Sequence, residues 1–342
     1  MTTSKPRKTR STGLPTLEQV ARRAGVSTIT ASRALRGLST VGLEYVERVK
    51  LAARELNYVA NPAARALASA RSAAVAVLIP SLSNTVFVDA LEAIHEVLRP
   101  RGLEMLIGNT HYSRDAEEHL IRHYLTCPPS GMLVTGFDRG ESAQRLIDAS
   151  TVPCVYMMEL SGAPGVHCVG LSQTQAGAAA ARHLIARGCR RNAFVAAQLD
   201  PRMLQRGEGF RDVLRAGGLY DADLEIFTAA PSSIGLGGEL LRQLVTRRPD
   251  VDGLFFGNDD LAQGALFEAR RMGIEVPGRV AVVGFNDLAG AADCVPRLTT
   301  LRTPRAEIGR TAARLLLSLI DGEKIETPAI DLGFELVVRE SA

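Results

Sequence analysis

Residues 28–33 read TITASR, directly after a Gly25-Val26-Ser27 turn. Placed on the outward side of a helix, Thr28, Ile29, Ser32 and Arg33 suit base edges and phosphates. Arg33 can give a bidentate pair of hydrogen bonds to guanine O6 and N7, worth about 1–3 kcal/mol of discrimination, and Ile29 can press on a thymine methyl. Ser27 and Thr30, at the start of the same helix, complete this contacting set. A second group of polar side chains follows the apolar runs further on: Ser81, Ser83, Asn84 and Phe87, then Asn109, His111 and Tyr112, then Phe137, Asp138 and Glu159. Asp200 and Arg206, Asn258 and Asp259, and Asn286 and Asp287 continue it. Amides, hydroxyls, carboxylates and an Arg beside an aromatic wall suit a polyhydroxylated ligand that needs many directional hydrogen bonds. Taken singly, each is more often a turn former or a helix cap. His119 and His123 have the i, i+4 spacing of a metal pair, but within RDAEEHLIRHYL they read as a solvated helix face. No metal or other cofactor is expected. The chain shows no P-loop, nucleophile elbow or H-E-x-x-H, and GLGG is not a dinucleotide fingerprint, so no enzyme is expected either.

The elements that must carry these residues can be read locally. Thr16 stands three residues before Gln19, the spacing of a capping box, and Gly25 ends the helix so begun. Leu17, Val20, Ala21 and Ala24 form its apolar stripe. Ser27 caps a second helix, from Thr28 to Leu35 or Arg36, with Ala31, Ala34 and Leu35 turned inward. Leu43, Val46, Val49, Ala53 and Leu56 are the inward positions of a third. Two short helices joined by a tight turn, with a third supporting them, make a helix-turn-helix. In that unit the second helix leads into the DNA major groove. After it comes LNYVANPAARALASARS, where Pro62 can open a helix too short to stand alone in water. Leu67 is its one large apolar side chain. It either wedges into a minor-groove step or packs on the neighbouring domain.

From residue 75 the pattern changes to short apolar runs alternating with amphipathic segments. The runs are VAVLIP, EMLIGN, GMLVTG, CVYMM, VHCVG, NAFVAA, LEIFTA, GLFFGN and VAVVGF. Such alternation means parallel sheets covered on both faces. Nine strands exceed one compact doubly wound sheet, so two lobes are expected, with ligand binding beyond the carboxyl ends of the strands.

Charge separates the two regions. Residues 1–71 hold 13 Lys and Arg against 4 Glu and no Asp, and the rest holds 27 basic against 33 acidic residues. The overall charge of +3 hides a basic head on an acidic body, which suggests that the head meets a polyanion. At 342 residues the chain has room for two or three domains. It lacks any apolar run of about 18 residues and its basic N-terminus lacks the apolar stretch of a signal peptide, so a cytoplasmic protein without a membrane partner is expected. Five scattered cysteines without C-x-x-C spacing read as buried, reduced thiols. A sugar-binding protein without a DNA function fits the body alone but not the basic head.

TLEQVARRAGVSTITASRAL and LNYVANPAARALAS, followed by GNDDLAQGAL, VAVVGFNDL, PRLTTLRTP and DLGFELVVRE, resemble the lac repressor (LacI/GalR) family across nearly the whole chain. The resemblance implies an all-α helix-turn-helix head and an α/β body of two doubly wound parallel-sheet lobes of periplasmic-binding-protein type. It implies a basic tail over 1–14, the head over 15–60 and a hinge over 61–71. The body follows over 72–342, its first lobe about 72–171 plus 303–328, its second about 172–302 plus 329–342. It further implies a homodimer on a pseudo-palindromic operator, with Thr16 and Tyr58 touching phosphates and Thr28, Ile29 and Arg33 reading bases. Asn61 serves the hinge and Leu67 opens a central base step. From their places after the strands, the expected effector contacts in the cleft are Ser81, Asn84, Phe87, His111, Glu159, Arg206, Asn258 and Asn286, and matching to the family's motifs gives Arg206 and Asn258 the strongest claim. VLIPSLSNTVF, QLDPR and NDDLAQGALFEARRMGIEVP are similar to the gluconate-utilisation repressors of the family. Asn286 stands where sugar-responsive relatives commonly carry Asp, and an amide there beside Arg206 favours an acidic ligand. Gluconate is the expected effector, with Arg206 as its carboxylate partner; 2-ketogluconate, 6-phosphogluconate and a neutral sugar are the alternatives.

Overall fold

The computed structural model describes residues 15–59 and 72–342. Two compact units divide at Ser72 and Ala73. Asn61 and Leu67 lie outside the described residues, as does the whole hinge segment over 61–71.

In the first unit, helix α1 (Leu17–Ala24) starts on the capping box: Thr16 Oγ1 accepts from Gln19 N at 3.3 Å, and Gln19 Oε1 accepts from Thr16 N at 2.8 Å. Helix α2 (Thr28–Leu35) is capped by Ser27, whose Oγ accepts from Thr30 N at 3.1 Å. Helix α3 (Leu43–Glu55) covers both. The core is built of small side chains, with Val20, Ala21, Ala24, Ala31, Ala34, Val49 and Ala52 all buried, so the three helices pack closely around little volume. Leu43, expected inside, is 83% exposed. It is the first residue of its helix, and a helical side chain covers the turn before its own Cα, which here does not exist. Leu35, Val46 and Leu56 are half-buried at the edge of the core.

Gly25 ends α1 with φ +66°, and Arg48 donates to the Ala24 carbonyl beside it at 2.6 Å. A Cβ at Gly25 would lie 2.7 Å from that guanidinium. Gly25→Ala is therefore expected to destabilise the head by about 1–2 kcal/mol, combining left-handed backbone cost with displacement of Arg48. Amide hydrogen exchange across 17–55 in the full-length chain should quicken roughly 5- to 30-fold.

The second unit holds two six-stranded sheets. The first contains β1 (Ala74–Ile79), β2 (Glu104–Asn109), β3 (Gly131–Thr135), β4 (Cys154–Met157), β5 (Cys168–Gly170) and β11 (Ala329–Asp331), in the order β11-β5-β4-β3-β1-β2. All its pairings are parallel. The second contains β6 (Asn192–Ala197), β7 (Glu225–Thr228), β8 (Gly253–Phe256), β9 (Ala281–Asn286), β10 (Thr299–Arg302) and β12 (Glu335–Val337), in the order β12-β10-β9-β8-β6-β7. It is parallel except for the β10–β12 pair. Helices α4 (Val88–Leu98), α5 (Arg114–Leu125), α6 (Glu141–Ala149) and α11 (Arg305–Ile320) flank the first sheet. Helices α7 (Gln173–Ala186), α8 (Pro201–Ala216), α9 (Ile234–Arg247) and α10 (Asp259–Arg271) flank the second.

All nine expected strands form, and the interior β1, β3, β6, β8 and β9 are buried along their length, as strands covered on both faces must be. The edge strands β2 and β7 are partly exposed. The chain crosses between sheets after β5, after β10 and after β11. The last crossing corrects the expected lobe boundary: residues 329–331 pair with Cys168–Gly170 in the first sheet instead of joining the second lobe. Only Glu335–Val337 crosses to the second sheet, as an antiparallel edge. Among the cysteines, Cys168, Cys189 and Cys294 are buried as expected, Cys154 is half-buried and Cys127 is exposed just beyond α5, against expectation. His119 and His123 are both exposed on α5.

Candidate functional site

The outer side of α2 is open to solvent. Thr28, Ile29 and Arg33 are exposed on the outer side of α2, Ile29 at 66%. Among the described residues Arg33 forms no ion pair, whereas Arg22 and Arg23 are tied to Glu18 and Glu55. Thr16 and Ser27 are exposed, their hydroxyl oxygens accepting from the helix ends they cap, and Ser27 Oγ also shares a 2.8 Å hydrogen bond with Thr30 Oγ1. Thr30 and Ser32 are half-buried, and Tyr58 packs at the edge of the head core. A helix N-terminus flanked by hydroxyls, an isolated guanidinium and an exposed aliphatic side chain can meet phosphate and base edges together.

In the second unit a cleft of about 610 Å³, its mouth included, lies between the two sheets' carboxyl ends. From the first lobe come Asn84 and Phe87, in the loop after β1, with Tyr112 and Met158. Asn84 Nδ2 donates to Tyr112 Oη at 3.4 Å, and its Oδ1 accepts from Val86 N at 3.1 Å. From the second lobe come Arg202 and Arg206 on α8, Asn258 and Asn286 at the ends of β8 and β9, and Phe285 as a wall. Asn258 caps α10 through Leu261 N at 3.1 Å and holds Ser232 Oγ at 2.7 Å. Behind it the buried Asp259 accepts from Thr300 Oγ1 and Leu288 N, each at 2.7 Å. Burial pushes that carboxyl up to about 6, against the pull of those two bonds. Asn286 sits at φ +110°, a conformation an amide tolerates better than most side chains, and its Oδ1 accepts from Thr303 at 3.3 Å.

The two arginines differ in kind. Arg202 faces three carboxylates: Asp200 at 3.3 Å, Asp138 at 3.4 Å and Glu159 at 3.8 Å. Burial opposes its charge, but these neighbours overcome it and hold its pKa above the ordinary value. Asp138 and Glu159 belong to the first lobe, so Arg202 ties the lobes together. Arg206 is as buried, at 7% exposure, yet among the described residues it forms no ion pair. Its guanidinium lies 4.2 Å over the Phe285 ring, Nη1 donates to Gln173 Oε1 at 2.6 Å, and Nη2 reaches only the Met203 sulfur at 3.6 Å. Nε has no partner. Burial pushes its pKa down to about 10, with Arg202 adding to the effect and Asp200 opposing it.

Five of the eight expected effector residues therefore line one cavity: Asn84, Phe87, Arg206, Asn258 and Asn286. Ser81, His111 and Glu159 do not. Ser81 shapes the loop by accepting from Asn84 N at 3.1 Å. His111 and Tyr112 both adopt left-handed backbone, φ +52° and +56°, a turn that brings Tyr112 to the cavity and leaves His111 exposed. Glu159 is occupied by Gln205 Nε2 at 2.6 Å, Phe137 N at 3.3 Å and Arg202. Sequence reasoning missed Gln173, Gln198, Arg202, Ser232 and Thr303 as lining residues. Gln173 follows β5, so the rule applied to the other strands would have found it, whereas Thr303 follows β10, a strand that no apolar run announces.

Residues 16–61 match the lacI family of bacterial regulatory proteins, and residues 181–342 match the periplasmic binding protein-like domain. The chain is 62% identical over 339 residues to the HTH-type transcriptional regulator GntR of Pseudomonas aeruginosa, covering 99% of each. The crystal structure of the transcription regulator GntR from Chromobacterium violaceum superposes with a TM-score of 0.77 at 49% identity, over 78% of this chain and 98% of that one. A complex of the transcriptional regulator CelR with cellobiose superposes with a TM-score of 0.70 at 31% identity, over 96% of this chain and all of the other. These relatives are regulators, not enzymes. With its exposed recognition helix and its two-lobed cleft, the chain belongs to the lacI family of bacterial regulatory proteins and is a DNA-binding transcriptional regulator.

Proposed function

We propose that this regulator is a cytoplasmic homodimer that represses sugar-acid utilisation genes and that its effector is gluconate, bound in the cleft between the lobes. One observation carries the choice of an acid: Arg206 is a buried guanidinium with no anionic partner among the described residues and an unsatisfied Nε. A buried charge costs several kcal/mol unless paired, so the site is built for a partner that arrives from outside. The amides of Asn84, Asn258 and Asn286 and the hydroxyls of Tyr112, Ser232 and Thr303 suit the hydroxyls of a polyol chain. Asn286 in place of a carboxylate keeps a second anion away from the ligand's own. The 62% identity to GntR of Pseudomonas aeruginosa supports the same reading.

Arg202 and Gln205 of the second lobe already contact Asp138 and Glu159 of the first, so a ligand between them biases the angle at which the lobes meet. A tenfold change in operator affinity needs only about 1.4 kcal/mol of such coupling.

Thermal melting tests the effector. At a hundredfold excess over Kd a ligand adds about 2.7 kcal/mol of stability, which should raise the melting temperature by roughly 5 °C or more. Gluconate is expected to give this shift, and glucose none at equal concentration. Equal shifts with the two overturn the assignment. A larger shift with 2-ketogluconate or 6-phosphogluconate keeps the acid and changes its identity.

A further inference from the structure

Gln173 opens α7 and is 4% exposed. Its amide is used at both ends: Oε1 accepts from Arg206 Nη1 at 2.6 Å, and Nε2 donates to the Met158 carbonyl at 3.0 Å. These partners fix which end is oxygen, because a guanidinium only donates and a carbonyl only accepts. Met158 follows β4 of the first lobe and sits at φ +71°. Arg206 lies on α8 of the second lobe, so one amide joins the unpaired cation to the opposite side of the cleft.

The reach of that amide is set by two glycines. A Cβ at Gly177 would stand 1.9 Å from the Arg206 carbonyl oxygen, and one at Gly209 would stand 1.9 Å from that of Thr174. Helices α7 and α8 therefore meet backbone to backbone, and the spacing between Gln173 and Arg206 cannot widen without separating them. With Nη1 held, the guanidinium is left with its Nε–Nη2 edge. Nε is buried and unpartnered, and Nη2 touches only sulfur. A carboxylate docks two oxygens on such an edge through parallel hydrogen bonds.

We propose that Gln173 is a positioning residue for anion recognition. It grips Arg206 by Nη1, presents the Nε–Nη2 edge to the ligand's carboxylate, and through Met158 makes that presentation depend on the first lobe being in place. Ligand affinity and lobe position are then linked through a single side chain. The inference rests on the reading that the cleft takes a sugar acid. A neutral amide is the side chain that fits: a carboxylate here would satisfy Arg206 internally, and an aliphatic group would hold neither end.

Calorimetric titration of the full-length protein with D-gluconate, for wild type, Gln173→Leu and Gln173→Glu, tests it. Gln173→Leu is expected to weaken binding at least tenfold. Gln173→Glu should weaken it at least a hundredfold, because the new carboxylate competes for the guanidinium. That ranking separates positioning from packing, since a residue that merely fills space tolerates its near-isostere Glu better than Leu. The proposal fails if Gln173→Glu binds as well as wild type, or if Gln173→Leu is the worse of the two. Wild type that binds gluconate no better than glucose instead removes the sugar-acid reading itself, a result distinct from either.

Discussion

Arg206→Met is expected to weaken gluconate binding by about a hundredfold or more while raising the melting temperature of the unliganded protein. The two effects share one cause. Arg206 is buried, its Nε is unsatisfied and its pKa has been pushed down to about 10 by burial, so its charge is unfavourable in the empty site. A depressed basic pKa means the penalty is fully present at neutral pH, where folded and unfolded chains are both protonated, and is relieved only above about 10. Removing the charge should recover on the order of 2–3 kcal/mol, less what is lost with the Gln173 hydrogen bond and the Phe285 ring contact. The same removal takes away a bidentate charge-assisted pair from the ligand, about 3 kcal/mol or more in a desolvated site. Gain of stability with loss of binding is the pattern of a residue kept for function. Calorimetry with gluconate and a melt of the empty protein measure both. A variant that binds the acid normally, or that melts earlier than wild type, shows that Arg206 is a structural cation and that the anion site lies elsewhere.

Local signals made the head legible. The Thr16–Gln19 box, Gly25 and Ser27 act within a few residues of chain, and each appears at its expected place. Long apolar runs made the nine interior and edge strands legible for a similar reason. TTLR, AID and ELV carry no such pattern; the strands they form exist only because neighbouring strands offer them partners, and sequence reading consequently misplaced residues 329–331. The cleft was legible as a rule and not residue by residue. Looking just past each strand located Asn84, Asn258 and Asn286. Whether a given side chain turns inward depends on backbone twists such as the paired left-handed residues His111 and Tyr112, which no spacing reveals. Glu159 was in the right region but committed to Gln205, Phe137 and Arg202. What separates Arg206 from Arg202 is a difference in partners, and partners belong to the fold.

Arg33→Ala should produce the largest loss in operator affinity of any single substitution in the head. Arg33 is exposed on α2 and forms no ion pair among the described residues, so its guanidinium can meet guanine without first breaking an internal contact. A bidentate guanine contact contributes about 1–3 kcal/mol of discrimination. A dimer uses the contact twice on a pseudo-palindromic site, and distant contacts add, so the loss should reach roughly 2–6 kcal/mol. Base reading and phosphate binding leave different traces. If Arg33 reads a base, affinity for random duplex should change little, the slope of binding against salt should stay nearly constant, and one position in each half-site should become degenerate. If it grips phosphate, operator and random DNA weaken alike and the salt slope drops by about one per head. Gel-shift titrations of wild type and variant at three salt concentrations, on a site selected from a genomic pool and on random DNA, separate the two. Ile29 gives an internal control: 66% exposed and outside the head core, it is expected to cost operator affinity when cut to Ala without altering the salt slope.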